Sequence, residues 1–481
     1  MKEIEFAKRF DLSPSPYGEI YAMIGELNAK GIPIINMAPG NPTYPLLPEV
    51  SEAMIRTIRK GETRYIPSGT GTQNHKKGAA DLANYVCARN GSGFSQENVV
   101  VTNGCAHGYW AVTGSVIEPG KSAGILSPYY GYYGAPIKSH GGEVRIIEAR
   151  RENGYVPTYE DLREAIIKHP EIVALVFNFP HNPTGAMLNE EKAKSFADAI
   201  NKINKEFPHI LFIDDLAYIN LVRPRDIRTT YPHLTPEARQ NTVLLISGSK
   251  SVSLANSRVG AVVSENRELL RRVGNAVIAS VMSVPYFANE GFAAGSEVLT
   301  TGWKVSDEIV DHYQLRMGII GKALDDIGRK CSDKIASGDA PPIIDGVPAG
   351  GMFLWADMSK VFKGKEIPLP NGEPSGKFIA SGADINNFLV GLHEFGYVPV
   401  ITVPGELFGT KPGDCFLRFA CVESEEDMKI AAESLKGAAQ LLTGVNLGVR
   451  PNLPKQNASR YRHGMPRDAI ELRRGADERG I

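Results

Sequence analysis

Lys250 lies in the stretch SGSKSVSLANSRVG, residues 247–260, between two serines, with Arg258 eight positions further along. Most lysines are solvated, because burying their charge without a partner is costly. Here NTVLLIS, 241–247, and RVGAVVS, 258–264, have the apolar pattern of short buried strands. Lys250 therefore follows a strand end, which is where open α/β sheets bind ligands. A partly desolvated amine near another cation has an accessible neutral form, so a nucleophilic lysine is the alternative to a solvated one.

Two further polar stretches also end predicted strands. In NFPHNPTG, 178–185, the amide of Asn182 can donate to a ligand oxygen, although Asn-Pro-Thr-Gly is also ordinary turn chemistry. In LFIDDLAY, 211–218, a carboxylate at the end of an apolar strand is costly unless a cation or a hydrogen-bond donor meets it. Asp215 and Tyr218 are three residues apart, so one turn can direct both at the same ligand. Taken alone, such an aspartate is more often a helix cap.

A phosphate-binding turn and an aromatic surface complete the set. VTNGCAHG, 101–108, runs from a strand through a glycine into a helix, where backbone N–H groups and the helix dipole favour an anion. SPYYGYY, 127–133, offers aromatic rings, although clustered tyrosines often only pack. Together the stretches suit a flat ring with a phosphate, an aldehyde, a phenolic oxygen and a basic ring nitrogen. That ligand is pyridoxal 5'-phosphate.

The elements that position these residues alternate short β-rich runs with helical ones. This predicts a large α/β domain at 51–300, with a mostly parallel sheet covered by helices on both faces. Residues 1–50 are expected to form an N-terminal arm and part of a small domain. Residues 301–443 are expected to form a smaller α+β domain containing the surface loop KGKEIPLPNGEPSGK, 363–377. Residues 444–481 are expected to be a polar, basic and loosely attached tail.

Composition excludes several classes of function. Hydrophobic residues make up 42% of the 481 residues, charged residues 22%, and the formal net charge is -1, which argues against disorder and nucleic-acid binding. Five scattered cysteines indicate free thiols in a reducing compartment, and no apolar run is long enough to span a membrane. The histidines show no metal-ligand spacing. We therefore expect a cytoplasmic protein without a metal site.

The ordered set of motifs resembles the class I/II aminotransferases, which depend on pyridoxal 5'-phosphate and have the aspartate aminotransferase fold, called fold type I. The resemblance covers about residues 30–440. It implies a large domain with a mostly parallel, seven-stranded type of sheet and a smaller α+β domain. The motifs are NPTG, D-x-A-Y, S-x-S-K with R-x-G eight residues after the lysine, GGMF and R-F-A.

The resemblance also implies roles in binding the cofactor. Lys250 would hold it through a Schiff base and move a proton at the substrate Cα, and Asp215 would pair with the ring nitrogen. Asn182 and Tyr218 would bind the phenolic oxygen, and Tyr130 would stack on the ring. The remaining positions would bind the phosphate; they are Gly104, Cys105, Ala106, Ser247 and Arg258.

Substrate and partner roles follow from the same resemblance. Arg418 would bind the substrate α-carboxylate, with Gly40 and Asn182 beside it. Tyr65 would reach the phosphate of a partner subunit, so a homodimer with shared active sites is expected. After Tyr65 the chain reads SGTGTQNHKKGAADL, whereas the family usually has a glycine and an L-R-x-A-I type of helix start.

The favoured interpretation is an aminotransferase that moves an amino group from an amino acid to a 2-oxo acid. A lyase, a decarboxylase or a β/γ-substitution enzyme on the same fold remains open, because such enzymes need the same lysine and electron sink. A DNA-binding regulator is disfavoured, because only about 30 residues precede the fold and they carry no helix-turn-helix pattern. The amino acid itself is open, since loop residues and pocket shape set specificity.

Overall fold

The chain divides into two compact units. The computed structural model describes residues 17–61, 64–66, 69–87 and 93–454. The large unit comprises Leu46–Asp311 and Ala349–Gly351. The small unit comprises His312–Pro348 together with the described parts of residues 15–45 and 352–481. The division at Asp311 falls inside a helix, eleven residues beyond the end predicted for the large domain.

The elements follow one another in a largely alternating order. The helices are α1 (Gly18–Ala29), α2 (Pro48–Arg59), α3 (Gln73–Cys87), α4 (Gly104–Gly114), α5 (Gly134–Ser139), α6 (Tyr159–Lys168), α7 (Glu190–Glu206), α8 (Pro236–Gln240), α9 (Gly248–Ser251), α10 (Arg267–Val281), α11 (Tyr286–Thr301), α12 (Trp303–Cys331), α13 (Asp333–Ala336), α14 (Ser359–Phe362), α15 (Gly382–Val390) and α16 (Glu425–Thr443). The strands are β1 (Ile35–Asn36), β2 (Val99–Thr102), β3 (Ser122–Ser127), β4 (Glu143–Glu148), β5 (Ile172–Asn178), β6 (Leu211–Asp215), β7 (Thr242–Ser247), β8 (Gly260–Ser264), β9 (Phe353–Asp357), β10 (Glu366–Pro368), β11 (Pro374–Phe378), β12 (Val400–Ile401), β13 (Val403–Pro404) and β14 (Phe416–Ala420).

The large unit is built on a seven-stranded sheet in the order β2-β8-β7-β6-β5-β3-β4. Only β8 runs against its neighbours, β2 and β7, and the other adjacent pairs are parallel. Every residue of β6, β7 and β8 is buried, as expected for strands covered on both faces. The carboxyl ends of β5, β6 and β7 lie side by side, so residues that follow them share one edge of the sheet.

Helices cover the sheet by burying apolar faces. α4 packs against β7, β8 and α10, while α3 packs against β2 and β8. α7 is amphipathic: Asn189 caps its first turn, and Phe196, Ile200 and Ile203 lie on its buried side. Among the helices of the described residues, none combines the length and apolar character needed to cross a bilayer.

The small unit contains a three-stranded antiparallel sheet in the order β13-β14-β9, and β1 pairs with β12 in parallel. Its core draws on α12, α15 and α16 as well as on these strands, with Met317, Leu354, Leu389 and Leu435 among its buried side chains. Strand β9 lies within GGMFLWADMS, 350–359, and strand β14 lies within FLRFACV, 416–422.

The predicted surface loop at 363–377 differs from the structure, because it contains the antiparallel hairpin β10–β11. Gly372 has φ +83°, and its N–H donates to the carbonyl of Leu369. Asn371 Oδ1 accepts the N–H of Glu373 at 3.1 Å. Asn-Gly is a strong hairpin signal, and the abundance of Gly and Pro masked it in the sequence.

The start of the predicted tail also differs from expectation. Leu447 is buried, and the N–H of Leu453 donates to the carbonyl of Gly396. Asn452 Oδ1 accepts the N–H of Val398 at 3.0 Å. Residues 444–454 are therefore held on the small unit by a few specific contacts that apolar periodicity does not reveal. Residues 455–481 lie outside the described residues.

Candidate active site

The turn that carries Lys250 is tied together by its serines. Strand β7 ends at Ser247, whose Oγ accepts the N–H of Ser249 at 2.9 Å. Ser251 Oγ donates to the carbonyl of Ser247 at 3.1 Å. The Lys250 side chain is half-buried, with Nζ 6.0 Å from the centroid of the Tyr218 ring. The small polar residues thus fix the turn and hold the lysine next to an aromatic residue from the neighbouring strand end.

Asp215 ends the adjacent strand, β6, and its carboxylate is buried. Tyr133 donates its hydroxyl to Oδ2 at 2.8 Å, and the N–H of Ala217 donates to Oδ1 at 3.1 Å. Burial raises the pKa of Asp215 above its ordinary value, while these donors and the charge of Lys250 act in the opposite direction. The site therefore contains a buried carboxylate within the electrostatic reach of an amine.

Asn182 and Tyr218 lie together. Asn182 Nδ2 donates to the Tyr218 hydroxyl at 3.3 Å, and both side chains are buried. Asn178, which the sequence analysis missed, links them to the neighbouring strand: its Oδ1 accepts the N–H of Asn182 at 3.0 Å, and its Nδ2 donates to the carbonyl of Asp215 at 2.5 Å. The sequence signal that could have identified Asn178 is its position as the first residue of NFPHNPTG, where a predicted strand ends.

The predicted phosphate-binding residues meet at the first turn of α4. Gly104 has φ +78°, and a Cβ placed there would lie 3.0 Å from Arg258 Nη2. Arg258 also donates to the carbonyl of Asn103 at 3.3 Å. The buried thiol of Cys105 hydrogen-bonds with Ser247 and Asp215, and burial raises its pKa well above the ordinary value. Ala106 follows and is half-buried.

Tyr130 belongs to the same cluster. Its half-buried ring lies edge-on to that of Tyr133, with centroids 5.5 Å apart and an interplanar angle of 86°. The N–H of Tyr133 donates to the carbonyl of Tyr130 at 3.0 Å. One short segment therefore supplies both an aromatic ring and the donor to Asp215.

Arg418 and Gly40 lie together in the small unit. Arg418 is 2% exposed on β14, its guanidinium lies 4.6 Å from the centroid of the Phe353 ring, and it donates to the carbonyl of Ala38. A Cβ on Gly40 would lie 2.7 Å from the same Phe353 ring, so a larger residue would press on the ring that supports the guanidinium. Tyr65, in contrast, is 77% exposed, so the structure does not bury its ring against the other site residues.

The histidines near the site form local hydrogen bonds. His107 Nδ1 lies 3.1 Å from the N–H of Asn103, and His181 Nδ1 lies 2.7 Å from Thr184 Oγ1. Burial lowers the pKa of His181 to about 4. Within the described part of the chain, no group of three or more His, Cys, Asp or Glu side chains could hold a metal ion.

The donor set of the large unit fits pyridoxal 5'-phosphate. A lysine amine matches the aldehyde, a buried carboxylate matches a protonated ring nitrogen, and an amide with a phenol matches the phenolic oxygen. At the first turn of α4, the missing side chain of Gly104 leaves room beside a guanidinium and the N–H groups of the helix terminus. This combination suits a phosphate.

Comparisons with known proteins agree with this fit. The family described as "Aminotransferase class I and II" matches residues 32–435. An aspartate aminotransferase of Pyrococcus horikoshii is 25% identical over 411 residues, 85% of this chain and 91% of that protein. A probable aspartate/prephenate aminotransferase of Aquifex aeolicus is 28% identical over 280 residues, 58% of this chain and 68% of that protein.

Solved structures show the same fold. The crystal structure of the aspartate aminotransferase of Rhizobium meliloti aligns with a TM-score of 0.77 at 23% identity, covering 92% of this chain and all of that one. The predicted fold class, cofactor and reaction class are confirmed. The chain belongs to the class I and II aminotransferases, enzymes that use pyridoxal 5'-phosphate to exchange an amino group between an amino acid and a 2-oxo acid.

Proposed function

We propose that Lys250 is the residue to which the cofactor becomes covalently attached, and that its amine then moves a proton at the substrate Cα. When bound, pyridoxal 5'-phosphate supplies an aldehyde for the amine and a ring that withdraws electrons from Cα. The observation that carries this proposal is the placement of Lys250. It is half-buried, it lies beside Tyr218, and its charge acts on the buried Asp215.

Asp215 is proposed to accept the hydrogen bond of the protonated ring nitrogen. Its burial strengthens an ion pair with that nitrogen, because little water competes for the charges. Asn182 and Tyr218 are proposed to bind the phenolic oxygen, supported by their mutual hydrogen bond at 3.3 Å. Tyr130 is proposed to cover the ring face.

The phosphate is proposed to bind at the first turn of α4. Gly104, Cys105 and Ala106 supply backbone N–H groups, which have no partner within the helix and favour an anion. The guanidinium of Arg258 lies beside Gly104, and Ser247 supplies a hydroxyl. These groups bind and orient the cofactor, while the chemistry takes place at Lys250.

Arg418 is proposed to bind the α-carboxylate of the substrate, and Gly40 and Asn182 are proposed as further residues that contact the substrate. A guanidinium held over two aromatic rings is fixed in orientation, which suits the two-pronged recognition of a carboxylate. Several similar proteins are named aspartate aminotransferases, so aspartate is the first donor to test.

We also propose a homodimer whose active sites are shared through Tyr65. Large apolar side chains are exposed on α2, at the end of α10 and at the start of α11; they are Ile55, Ile58, Ile278, Val281, Met282 and Phe287. Concentrated exposed apolar groups of this kind mark interaction surfaces. Tyr65, also exposed, precedes α3 in the same unit. The five free cysteines support a cytoplasmic location, where thiols stay reduced.

The direct test combines Lys250→Ala with chemical trapping. Borohydride reduction of the wild-type holoenzyme, followed by digestion, should place the cofactor mass on the peptide that contains Lys250. Lys250→Ala should lose this label and ~10³-fold or more of its turnover, because the covalent anchor and the proton carrier are the same amine.

The matched control is Lys205→Ala, an exposed lysine at the end of α7, which should keep both the label and the activity. Turnover of aspartate with a 2-oxo acid should yield one new amino acid for each aspartate consumed. Release of ammonia or carbon dioxide in place of amino transfer would contradict the assignment of these residues to transamination, as would a label on another lysine.

A further inference from the structure

Tyr133 is a buried phenol with one well-defined partner. It is 4% exposed and lies just before α5, and its hydroxyl donates to Asp215 Oδ2 at 2.8 Å. Tyr109, on α4, packs against Tyr133. The Tyr109 hydroxyl donates to the Tyr133 carbonyl at 3.1 Å, and the two ring centroids lie 5.0 Å apart. The phenol therefore has little freedom to leave the carboxylate.

A hydrogen bond of this kind changes the balance between the two forms of a buried acid. Burial favours the neutral form of Asp215, whereas a donor stabilises the carboxylate. Burial also raises the pKa of Tyr133 well above its ordinary value, so the phenol keeps its proton and acts as a donor. Hydrogen bonds to charged groups contribute more than neutral ones, and more still where water is excluded.

Several other ionisable groups act on the same carboxylate. They come from α4, β6 and α9, and they are Cys105, Tyr109, Asp214 and Lys250. Burial and the neighbouring charge of Asp215 raise the pKa of the adjacent Asp214 well above its ordinary value. Tyr133, the N–H of Ala217 and the thiol of Cys105 supply the hydrogen bonds that favour the ionised form, and the contribution of Tyr133 is the largest of the three.

We propose that Tyr133 is a positioning residue that, by donating to Oδ2, holds Asp215 as a carboxylate and so leaves the shared proton on the ring nitrogen of the cofactor. This inference rests on the proposed pairing of Asp215 with that nitrogen. Without the phenol, the carboxylate becomes more basic and draws the proton from nitrogen to oxygen. The ring then withdraws electrons less strongly. Tyr133 also hydrogen-bonds through its backbone with Tyr130, so one residue supports two of the proposed ring contacts.

The test is Tyr133→Phe, loaded with pyridoxal 5'-phosphate that carries the heavy nitrogen isotope in its ring and observed by nitrogen NMR. The equilibrium between protonated nitrogen and protonated carboxyl should shift ~10–100-fold toward the carboxyl, the range expected for one hydrogen bond to a charged group. The ring signal should move toward that of unprotonated pyridine. The turnover number should fall ~10-fold with little change in KM.

Tyr109→Phe is the matched control, because it removes an equally buried phenol that donates to a carbonyl and not to Asp215. Its ring-nitrogen signal should move far less than that of Tyr133→Phe, because the phenylalanine ring keeps its packing on Tyr133 and the phenol of Tyr133 still donates to Asp215. Tyr133→His, which can supply a donor again, should restore part of the signal. Circular dichroism checks that each variant is folded.

Asp215→Asn distinguishes the proposed role of Tyr133 from the proposed pairing of Asp215 with the ring nitrogen. If Asp215→Asn moves the signal and Tyr133→Phe does not, the inference about Tyr133 is wrong while the pairing of Asp215 stands. If neither variant moves the signal, Asp215 does not pair with the nitrogen. The inference about Tyr133 is then wrong as well, because it rests on that pairing. An equal shift in Tyr109→Phe would show a general effect of packing and would also overturn the proposal.

Discussion

Among single residues, Gly104 shows how an absent side chain defines a site. Its φ of +78° lies in the left-handed region, and a Cβ there would press on the guanidinium of Arg258. Gly120 has a similar φ of +85° with open space around it. The two glycines share the backbone requirement, and only Gly104 adjoins the proposed phosphate site.

We expect Gly104→Ala to weaken cofactor binding in addition to weakening the fold. Both Gly104→Ala and Gly120→Ala should lose ~1–2 kcal/mol of folding free energy from backbone strain. Only Gly104→Ala displaces Arg258, so its Kd for pyridoxal 5'-phosphate should rise ~10-fold or more. Titration of the two apoenzymes with the cofactor measures this, and equal Kd values would show that Gly104 matters for the backbone alone.

The positions of single site residues were predictable from the sequence only where those residues follow the end of a strand. Lys250 and Asp215 follow buried strands, so their position at the edge of the sheet was predictable. The partner of Asp215 was not, because the SPYYGYY stretch offers several tyrosines and 82 residues separate Tyr133 from Asp215. Which ring faces the carboxylate depends on how the chain turns after β3, and periodicity carries no information on that.

Among the elements, α3 contains an unusual buried histidine. His75 is fully buried, its Nδ1 lies 3.1 Å from Asn289 Oδ1, and its ring stacks on Phe292 at 4.3 Å. Phe292 in turn lies beneath Gly248, where a Cβ would meet its ring at 3.0 Å. His75 therefore belongs to the layer that supports the turn carrying Lys250. It stands within the segment where the chain departs from the usual family pattern.

This buried histidine should make the fold sensitive to acid. Burial lowers the pKa of His75 from 6.5 to about 3, so between these values the unfolded chain binds a proton that the folded chain excludes. The unfolding free energy should fall as the pH drops through this window, by up to ~1.4 kcal/mol per pH unit for this group. Denaturant titrations of His75→Leu should show a shallower pH dependence than those of the wild type.

The control for His75→Leu is His209→Leu, which replaces an exposed histidine. This control should leave the pH dependence of the unfolding free energy unchanged. His181 and His312, each with a pKa lowered to about 4 by burial, keep part of the acid sensitivity in every variant. An unchanged slope in His75→Leu would mean that the protonated ring is tolerated in the fold.

The strands of the large sheet were the most predictable elements, and the helices and the short strands were predicted less completely. The seven strands of the large sheet were predictable, because most of them are short apolar runs rich in β-branched residues. Helix α1 and hairpin β10–β11 were missed. Their residues are stabilised by tertiary contacts or by turn geometry, which leave only a weak trace in hydrophobic periodicity.

For the whole molecule, the proposed homodimer can be tested by changing an exposed apolar residue of the proposed interface and measuring the assembly state. Ile58, on α2, is 62% exposed, and Ile58→Asp places a charge in the proposed interface. Desolvating that charge is costly, so the variant should dissociate to monomers at concentrations where the wild type is dimeric. Sedimentation velocity measures the change. Activity should fall with dissociation if Tyr65 completes the partner's site.

Ile167→Asp provides the comparison, because Ile167 is 53% exposed on α6, which packs against α7 and β4. It should keep the assembly state of the wild type. Equal behaviour of the two variants would mean that the apolar surface of α2, α10 and α11 is not the subunit interface.

Hairpin β10–β11 also provides a position at which the protein can be labelled. Its tip, residues 370–373, is exposed, and its turn is closed by its own backbone bonds between Leu369 and Glu373. Exposed tips of small polar residues tolerate inserted sequence well. A short peptide tag or a dye-labelled loop placed between Asn371 and Gly372 should leave the proposed catalytic residues of the large unit undisturbed. It would allow the enzyme to be captured on a surface or followed optically through a chain position that performs no chemistry.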